Sequence, residues 1–188
     1  IALLPGSRVG ELKAHTDTLL ETAQSLLRVY SDAKFLIPAT NDKNLNFIKG
    51  RIRNNPTKNI KLIKGKVDEI LSSANIAIAA SGTASLQIAL HKKPMIIIYK
   101  GSWISYFIWK MVRLIPNVSL PNILLNESIV PEMLQHRATP NLLSEKACEI
   151  IKDNQYSKKI ESKFIKLHKG LKRNTSSLIF EIIKPYLK

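Results

Sequence analysis

Asn75-Ile76-Ala77-Ile78-Ala79-Ala80-Ser81-Gly82-Thr83-Ala84-Ser85-Leu86-Gln87-Ile88-Ala89-Leu90 is the stretch on which the fold turns. It opens with an apolar run of strand length, residues 76–80, and turns through Ser81-Gly82-Thr83. It continues with Ala84, Leu86, Ile88, Ala89 and Leu90, a composition that suits a buried helix. A strand that feeds through Ser-Gly-Thr into a helix brings backbone N–H groups and two hydroxyls to a helix N-terminus. Unsatisfied donors and a partial positive charge make that end attractive to phosphate or carboxylate. Ser81 and Thr83 serve equally as plain helix caps, and Ser-Gly-Thr alone does not decide between the two.

Outward from this stretch the same alternation repeats. Strands are expected at residues 1–4, 34–38, 60–63, 76–80 and 94–99, with Pro38 closing the second. Helices are expected at residues 12–30, 44–53 and 67–73, the first with Leu12, Leu19, Leu20, Ala23, Leu26 and Leu27 on one face. Apolar strands alternating with helices predict an α/β fold, a doubly wound parallel sheet covered on both faces. Ligands in that architecture bind beyond the carboxyl ends of the strands, near a topological switch point. Gly6-Ser7-Arg8 and Ser81-Gly82-Thr83 both lie at such ends. After the fifth strand, residues 103–115 are dense in aromatics; they read as a helix packed on the sheet or as one dipping into a membrane interface. Residues 118–125 read as irregular, and helices are expected near 130–134, 141–152, 157–169 and 174–186.

The 188 residues suffice for one core, and 45% apolar against 23% charged content describes a globular chain. The chain opens directly on a buried-strand pattern at Ile1, which leads us to expect a piece of a longer protein. The single cysteine, Cys148, permits no internal disulfide and sits in a helical apolar pattern. No charge-free apolar run has the length of a membrane span. The net charge of +15 is unevenly placed: residues 43–66 hold eight basic side chains and no acid, and residues 152–188 hold ten against three acids. Such fields favour phospholipid headgroups or phosphorylated substrates. No nucleic-acid partner is expected, because no binding motif is present and the aromatics do not interleave with the basic runs.

Several chemistries lack their residues. There is no Gly-x-x-x-x-Gly-Lys loop, no Gly-x-Gly-x-x-Gly fingerprint, no Asp-x-Asp pair and no Gly-x-Ser-x-Gly elbow. His15, His91, His136 and His168 stand apart, without partners at metal-ligand spacing. What remains is an anion cradle that calls for no metal and no cofactor. Arg8 can grip a phosphate bidentately. Ser81, Thr83 and the backbone about Gly82 hold the same group at the helix N-terminus. Gln87, one turn further on, reaches for a sugar hydroxyl or simply faces solvent or the sheet.

The segments Leu3-Leu4-Pro5-Gly6-Ser7-Arg8-x-x-Glu11, Ala80-Ser81-Gly82-Thr83-Ala84-Ser85-Leu86, Lys93-Pro94-Met95, Ser119-Leu120-Pro121-Asn122-Ile123-Leu124 and Val130-Pro131-Glu132-Met133-Leu134-Gln135 occur in one order and spacing. Together they resemble the lipid-A-disaccharide synthases, over nearly the whole chain and loosely after about Asp153. The resemblance implies the Rossmann-like C-terminal domain of a GT-B, inverting glycosyltransferase. It implies condensation of UDP-2,3-diacylglucosamine with 2,3-diacylglucosamine 1-phosphate, releasing UDP, with the general base in an N-terminal half. Residues 1–152 would form the UDP-sugar-binding domain, and residues 153–188 a basic helical tail packing on it or on that other half. The implied substrate-binding set is Gly6, Ser7 and Arg8, then Ser81, Gly82, Thr83, Ala84, Ser85 and Gln87, with Pro121 and Asn122 lining the donor side. No catalytic residue and no metal ligand is expected in this half. The implied setting is a Gram-negative cytoplasm, peripheral on the anionic inner membrane, with a homodimer left open. Another GT-B enzyme of UDP-sugars, such as an epimerase or an N-acetylglucosaminyltransferase, and a non-catalytic nucleotide- or membrane-binding module are the alternatives.

Position 87 departs from the family, which usually carries Glu there. An amide offers one acceptor oxygen where a carboxylate offers two. The loss of a charge-assisted bond corresponds to ~1–2 kcal/mol, roughly tenfold in affinity. From sequence, Gln87→Glu is therefore expected to tighten UDP binding, and the departure together with the start at Ile1 suggests a truncated or decayed copy.

Overall fold

The computed structural model describes residues 1–101, 117–172, 179–180 and 182–186. Among these residues six strands form one parallel sheet: β1 (Ala2–Leu4), β2 (Phe35–Ala39), β3 (Ile60–Lys64), β4 (Ala77–Ala80), β5 (Met95–Tyr99) and β6 (Glu132–Leu134). Their spatial order is β3-β2-β1-β4-β5-β6. Strand order therefore reverses between β1 and β4, which pair directly through Ala2 with Ala77, Leu3 with Ile78 and Leu4 with Ala79. The crossovers run through α1 (Val9–Leu27), α2 (Asp42–Asn54), α3 (Val67–Ser73) and α4 (Thr83–Leu90). Helices α5 (Leu120–Leu125), α6 (Pro140–Lys152) and α7 (Asn154–Leu171) follow.

Because successive strand side chains point to opposite faces, nearly continuous apolar strands feed two cores. Leu3, Ile78, Ile96 and Ile98 face one side, packed by Leu12, Leu19 and Leu26 of α1, Ile48 of α2 and Leu143 and Ala147 of α6. Leu4, Ala77, Ala79 and Ile97 face the other, packed by Ile70 and Leu71 of α3 and by Ile88 of α4. Ile160, Phe164 and Leu167 of α7 complete that second core. Helix α7 thus covers the sheet through one apolar edge, and its exposed side carries Lys158, Lys159, Lys166 and Lys169.

Three expectations change. Residues 130–134, expected to be helical, supply the strand β6, which pairs Ile97 with Glu132 and Ile98 with Met133, before a short 3-10 turn at Gln135–Arg137. Residues 118–125, expected to be irregular, contain α5, with Pro121 in its first turn, where a missing N–H costs nothing. Pro38 does not close β2; it pairs with Ile63 inside the β2–β3 ladder. The N–H of Leu36 points to Ile1 on the β1 side, so two residues on, the donor that Pro38 lacks would also have faced β1. The expected aromatic helix at 103–115 and much of the expected helix at 174–186 lie outside the described residues.

Candidate functional site

The switch point places two loops side by side, one after β1 and one after β4. The β1 loop leaves the sheet at Pro5 and turns at Gly6, whose φ is +106°. A side chain at Gly6 would collide with Glu11, so glycine is needed for both space and conformation. Glu11, in the first turn of α1, folds back over the loop. Its Oε2 accepts the N–H groups of Ser7 at 2.8 Å and Arg8 at 3.2 Å, and its Oε1 accepts Arg8 Nη1 at 3.0 Å. Partial burial works to raise the Glu11 carboxyl, but the two backbone donors and the Arg8 guanidinium together hold it below the usual carboxylate range. Asn44 Nδ2 ties the loop to α2 by donating to the Ser7 carbonyl at 2.8 Å. The Arg8 side chain is 85% exposed.

His15 lies beneath this loop, buried. Its Nε2 accepts the N–H of Lys100 at 3.0 Å, which leaves Nδ1 to donate to the Pro5 carbonyl at 3.1 Å. The ring is therefore a neutral Nδ1–H tautomer bridging the ends of β1 and β5. Burial lowers its pKa, and Lys100 acts in the same direction, against the Pro5 carbonyl and Glu11.

The β4 loop is built differently. Ser81 donates its N–H to the Ile98 carbonyl at 2.9 Å and its Oγ to the Val118 carbonyl at 3.0 Å. Ser85 is fully buried, and its Oγ donates to the Gly82 carbonyl at 2.7 Å. The hydroxyls of Ser81 and Ser85, both in the implied substrate-binding set, thus hold the turn itself. Gly82, at φ +151°, and Thr83 are exposed. The N–H groups of Gly82, Thr83 and Ala84 have no partner among the described residues. Those are the donors that a helix N-terminus offers to an anion.

Asn122 and Pro121 are buried. The Asn122 amide accepts from the N–H groups of Ile129 at 2.9 Å and Val130 at 3.0 Å, and donates to the Val130 carbonyl and to Glu132 Oε1. Its hydrogen-bonding capacity is spent on the fold, so its part in the crevice is to shape the wall. Glu132, given no role from sequence, is the hub of that wall. Its carboxylate accepts the N–H groups of Val118 and Ser119 at 2.9 Å each, the Ser119 hydroxyl at 2.7 Å and Asn122 Nδ2 at 2.8 Å. The segment Val130-Pro131-Glu132 showed an acid in sequence, but only pairing of β6 to β5 brings it under α5. Gln87 sits on α4 with its Nε2 donating to Asp68 of α3 at 2.9 Å. Among the described residues no three His, Cys, Asp or Glu side chains gather as a metal site. A cavity of about 1100 Å³ at the opposite end of the sheet, near Tyr30, Asn75 and Lys93, is lined by none of Gly6, Arg8, Gly82, Thr83, Gln87 and Asn122.

A parallel sheet that reverses between β1 and β4, with open helix N–H groups at the reversal, defines the class: a Rossmann-like α/β domain. Solved structures of the same fold include TarM, with a TM-score of 0.58 at 13% identity over 100% of this chain and 35% of that one. A putative UDP-N-acetylglucosamine 2-epimerase from Listeria monocytogenes follows, with a TM-score of 0.57 at 11% identity over 86% of this chain and 39% of that one. At such identities the likeness is one of fold. The chain belongs to the lipid-A-disaccharide synthetase family, whose profile matches residues 1–183. The lipid-A-disaccharide synthase of Dechloromonas aromatica is 37% identical over 93% of this chain and 47% of its own length. That of Aromatoleum aromaticum is 37% identical over 100% of this chain and 48% of its own. The chain therefore spans about half the length of these relatives.

Proposed function

We propose that this chain is the donor-binding half of an inverting glycosyltransferase that condenses UDP-2,3-diacylglucosamine with 2,3-diacylglucosamine 1-phosphate. The observation that carries the proposal is the adjacency, at one switch point, of the open α4 N-terminus and the β1 loop that bears the exposed Arg8 side chain. Family membership supports the choice of donor and acceptor. In the reaction the acceptor's 6-hydroxyl oxygen attacks the anomeric carbon of the donor, its bond to the UDP oxygen breaks, and negative charge develops on the departing diphosphate. The N–H groups of Gly82, Thr83 and Ala84, the α4 dipole and Arg8 meet that charge with preorganised donors. Gly6, Ser7, Ser81 and Ser85 shape the two loops, and Pro121 and Asn122 support the wall beside them. The base that removes the acceptor proton belongs to the remainder of the longer protein, and the chemistry assigned to this half needs no metal.

The test is calorimetric titration of the purified chain with UDP and with ADP, in the presence of EDTA. Binding of UDP in preference to ADP is the expected result, and Arg8→Ala should weaken it roughly tenfold, as for loss of a charge-assisted contact. Equal binding of ADP and UDP, or loss of UDP binding on adding EDTA, refutes the proposal.

The same reading places the protein on the cytoplasmic face of an anionic membrane. No helix among the described residues is long and apolar enough to cross a membrane. The exposed lysines of α7 and the net charge of +15 suit an anionic surface, at about 1 kcal/mol per cation near it. Co-sedimentation with phosphatidylglycerol vesicles at low salt, lost at high salt, is expected; failure to sediment at low salt removes this part of the proposal.

A further inference from the structure

Thr83, Gln87 and His91 are spaced four residues apart, so they share one face along α4. Asp68, in the first turn of α3, meets the lower part of that face. Its Oδ1 accepts Gln87 Nε2 at 2.9 Å and lies 2.9 Å from His91 Nε2. Ser72, one turn further along α3, brings its Oγ to 3.3 Å from His91 Nδ1, and Lys93 Nζ donates to the Ser72 carbonyl at 2.9 Å. The α3–α4 seam is thus laced by polar contacts that converge on one carboxylate.

A carboxylate only accepts, so it is the amide nitrogen of Gln87, not its oxygen, that turns to Asp68. The hydrogen bonds from His91 and Gln87 hold the Asp68 carboxyl below its ordinary range, which keeps it in the accepting form. With the nitrogen committed, Gln87 Oε1 has no partner among the described residues. Helical side chains lean over the turn N-terminal to their own Cα, which for position 87 is the turn that begins at Thr83.

We infer that Asp68 is a positioning residue for nucleotide recognition: by holding the Gln87 amide nitrogen it presents Gln87 Oε1 as a fixed acceptor to a ribose hydroxyl of the nucleotide whose phosphates seat on α4. The inference rests on the UDP reading of the site. It makes the amide at position 87 a matched partner of Asp68 rather than a sign of decay. It also reverses the expectation from sequence. A glutamate at 87 would set two carboxylates against each other at hydrogen-bond distance, so one must turn away or bind a proton. With Asp68 in place, Gln87→Glu weakens UDP binding; with Asp68 neutralised, the added acceptor tightens it.

The experiment compares UDP, 2′-deoxy-UDP, 3′-deoxy-UDP and inorganic pyrophosphate by calorimetric titration of the purified chain. It uses the wild type, D68A, D68N, Q87A, Q87E and D68N/Q87E. The wild type should prefer UDP to one of the deoxynucleotides by roughly fivefold to tenfold, the worth of one hydrogen bond. D68A and Q87A should bring that preference within about twofold, while D68N, which keeps an acceptor oxygen, retains most of it. Q87E should bind UDP less tightly than the wild type, and D68N/Q87E more tightly than Q87E. UDP binding with an undiminished preference in D68A and Q87A overturns the inference and leaves the UDP reading standing. So does tighter UDP binding by Q87E alone. A pyrophosphate loss in D68A equal to its UDP loss shows that Asp68 merely props α4, which also overturns it. Absence of UDP binding by the wild type overturns the nucleotide reading and this inference with it.

Discussion

Replacing Glu132 with alanine tests the wall of the crevice independently of any ligand. Its Oε1 accepts from the Ser119 N–H at 2.9 Å, from Ser119 Oγ at 2.7 Å and from Asn122 Nδ2 at 2.8 Å, and its Oε2 accepts from the Val118 N–H at 2.9 Å. Ser119 and Asn122 are fully buried. Asn122 Nδ2 keeps one N–H on the Val130 carbonyl after the truncation, so the stranded donors are the Val118 N–H, the two of Ser119 and the second N–H of Asn122. A hydrogen bond to a charged group is worth about 1.5–3 kcal/mol, and each buried donor without a partner costs about 1–3 kcal/mol. Water entering the vacated space offsets part of the loss. A net destabilisation of about 3–4 kcal/mol is expected for Glu132→Ala. In a domain of this size that lowers Tm by roughly 10 °C. Glu132→Gln keeps one carbonyl oxygen for the three donors on the Oε1 side but turns an NH2 group toward the Val118 N–H. Its loss should be about 1–2 kcal/mol. Thermal melting followed by circular dichroism reads both variants. Melting of Glu132→Ala within about 2 °C of wild type would refute the reasoning, since the donors would then have found other partners.

Two further outcomes follow from the other loop. Gly6→Ala forces a side chain into Glu11 at a positive φ and should cost ~2–3 kcal/mol in denaturant unfolding; an unchanged midpoint would contradict the packing described. His15 is held neutral by burial, with a pKa below its unfolded value. Above pH ~6.5 the ring is neutral in both states and its ionisation contributes nothing. As pH falls below that value the unfolded chain takes up a proton that the native state refuses, and stability drops by up to about 1.4 kcal/mol per pH unit until the folded pKa is passed. Melting between pH 8 and 5 should show a steeper decline for wild type than for His15→Gln; parallel curves would exclude His15 as the source.

The alternation of apolar runs with helical spacing placed five strands and their crossovers, because buried parallel strands have little freedom to look otherwise. The sixth strand was hidden. Glu132-Met133-Leu134 is short and mixed in polarity, and only pairing with β5 makes it a strand. Pro38 misled for a related reason: a proline's cost depends on which neighbour its absent N–H would face, which a single strand does not reveal. Gly6, Arg8, Gly82 and Thr83 were legible as residues of the loops after β1 and β4, because loop position and residue type coincide. Ser81, Ser85 and Asn122 were visible as polar residues, but their partners are backbone groups chosen by the fold. Asp68 and Glu132 stayed silent because the groups they hold lie up to 23 and up to 14 residues away in sequence.

The two helix N-termini at the switch point are not equivalent, and Glu11 is the reason. Its carboxylate already accepts the N–H groups of Ser7 and Arg8, so the start of α1 carries its own anion. At an effective dielectric constant near 20, two unit charges 4 Å apart interact by about 4 kcal/mol. A phosphate seated on α1 would meet Glu11 with a repulsion of that order, whereas the start of α4 has no acid in its first turn. Arg8 completes the asymmetry. One of its donors is committed to Glu11, and with the side chain 85% exposed its remaining guanidinium N–H groups stay at the surface. The Glu11 contact restrains the arginine before any ligand arrives, which lowers the entropy lost on gripping a phosphate. In the proposed complex a diphosphate therefore favours α4 over α1, because the same glutamate bars the α1 terminus and restrains the arginine.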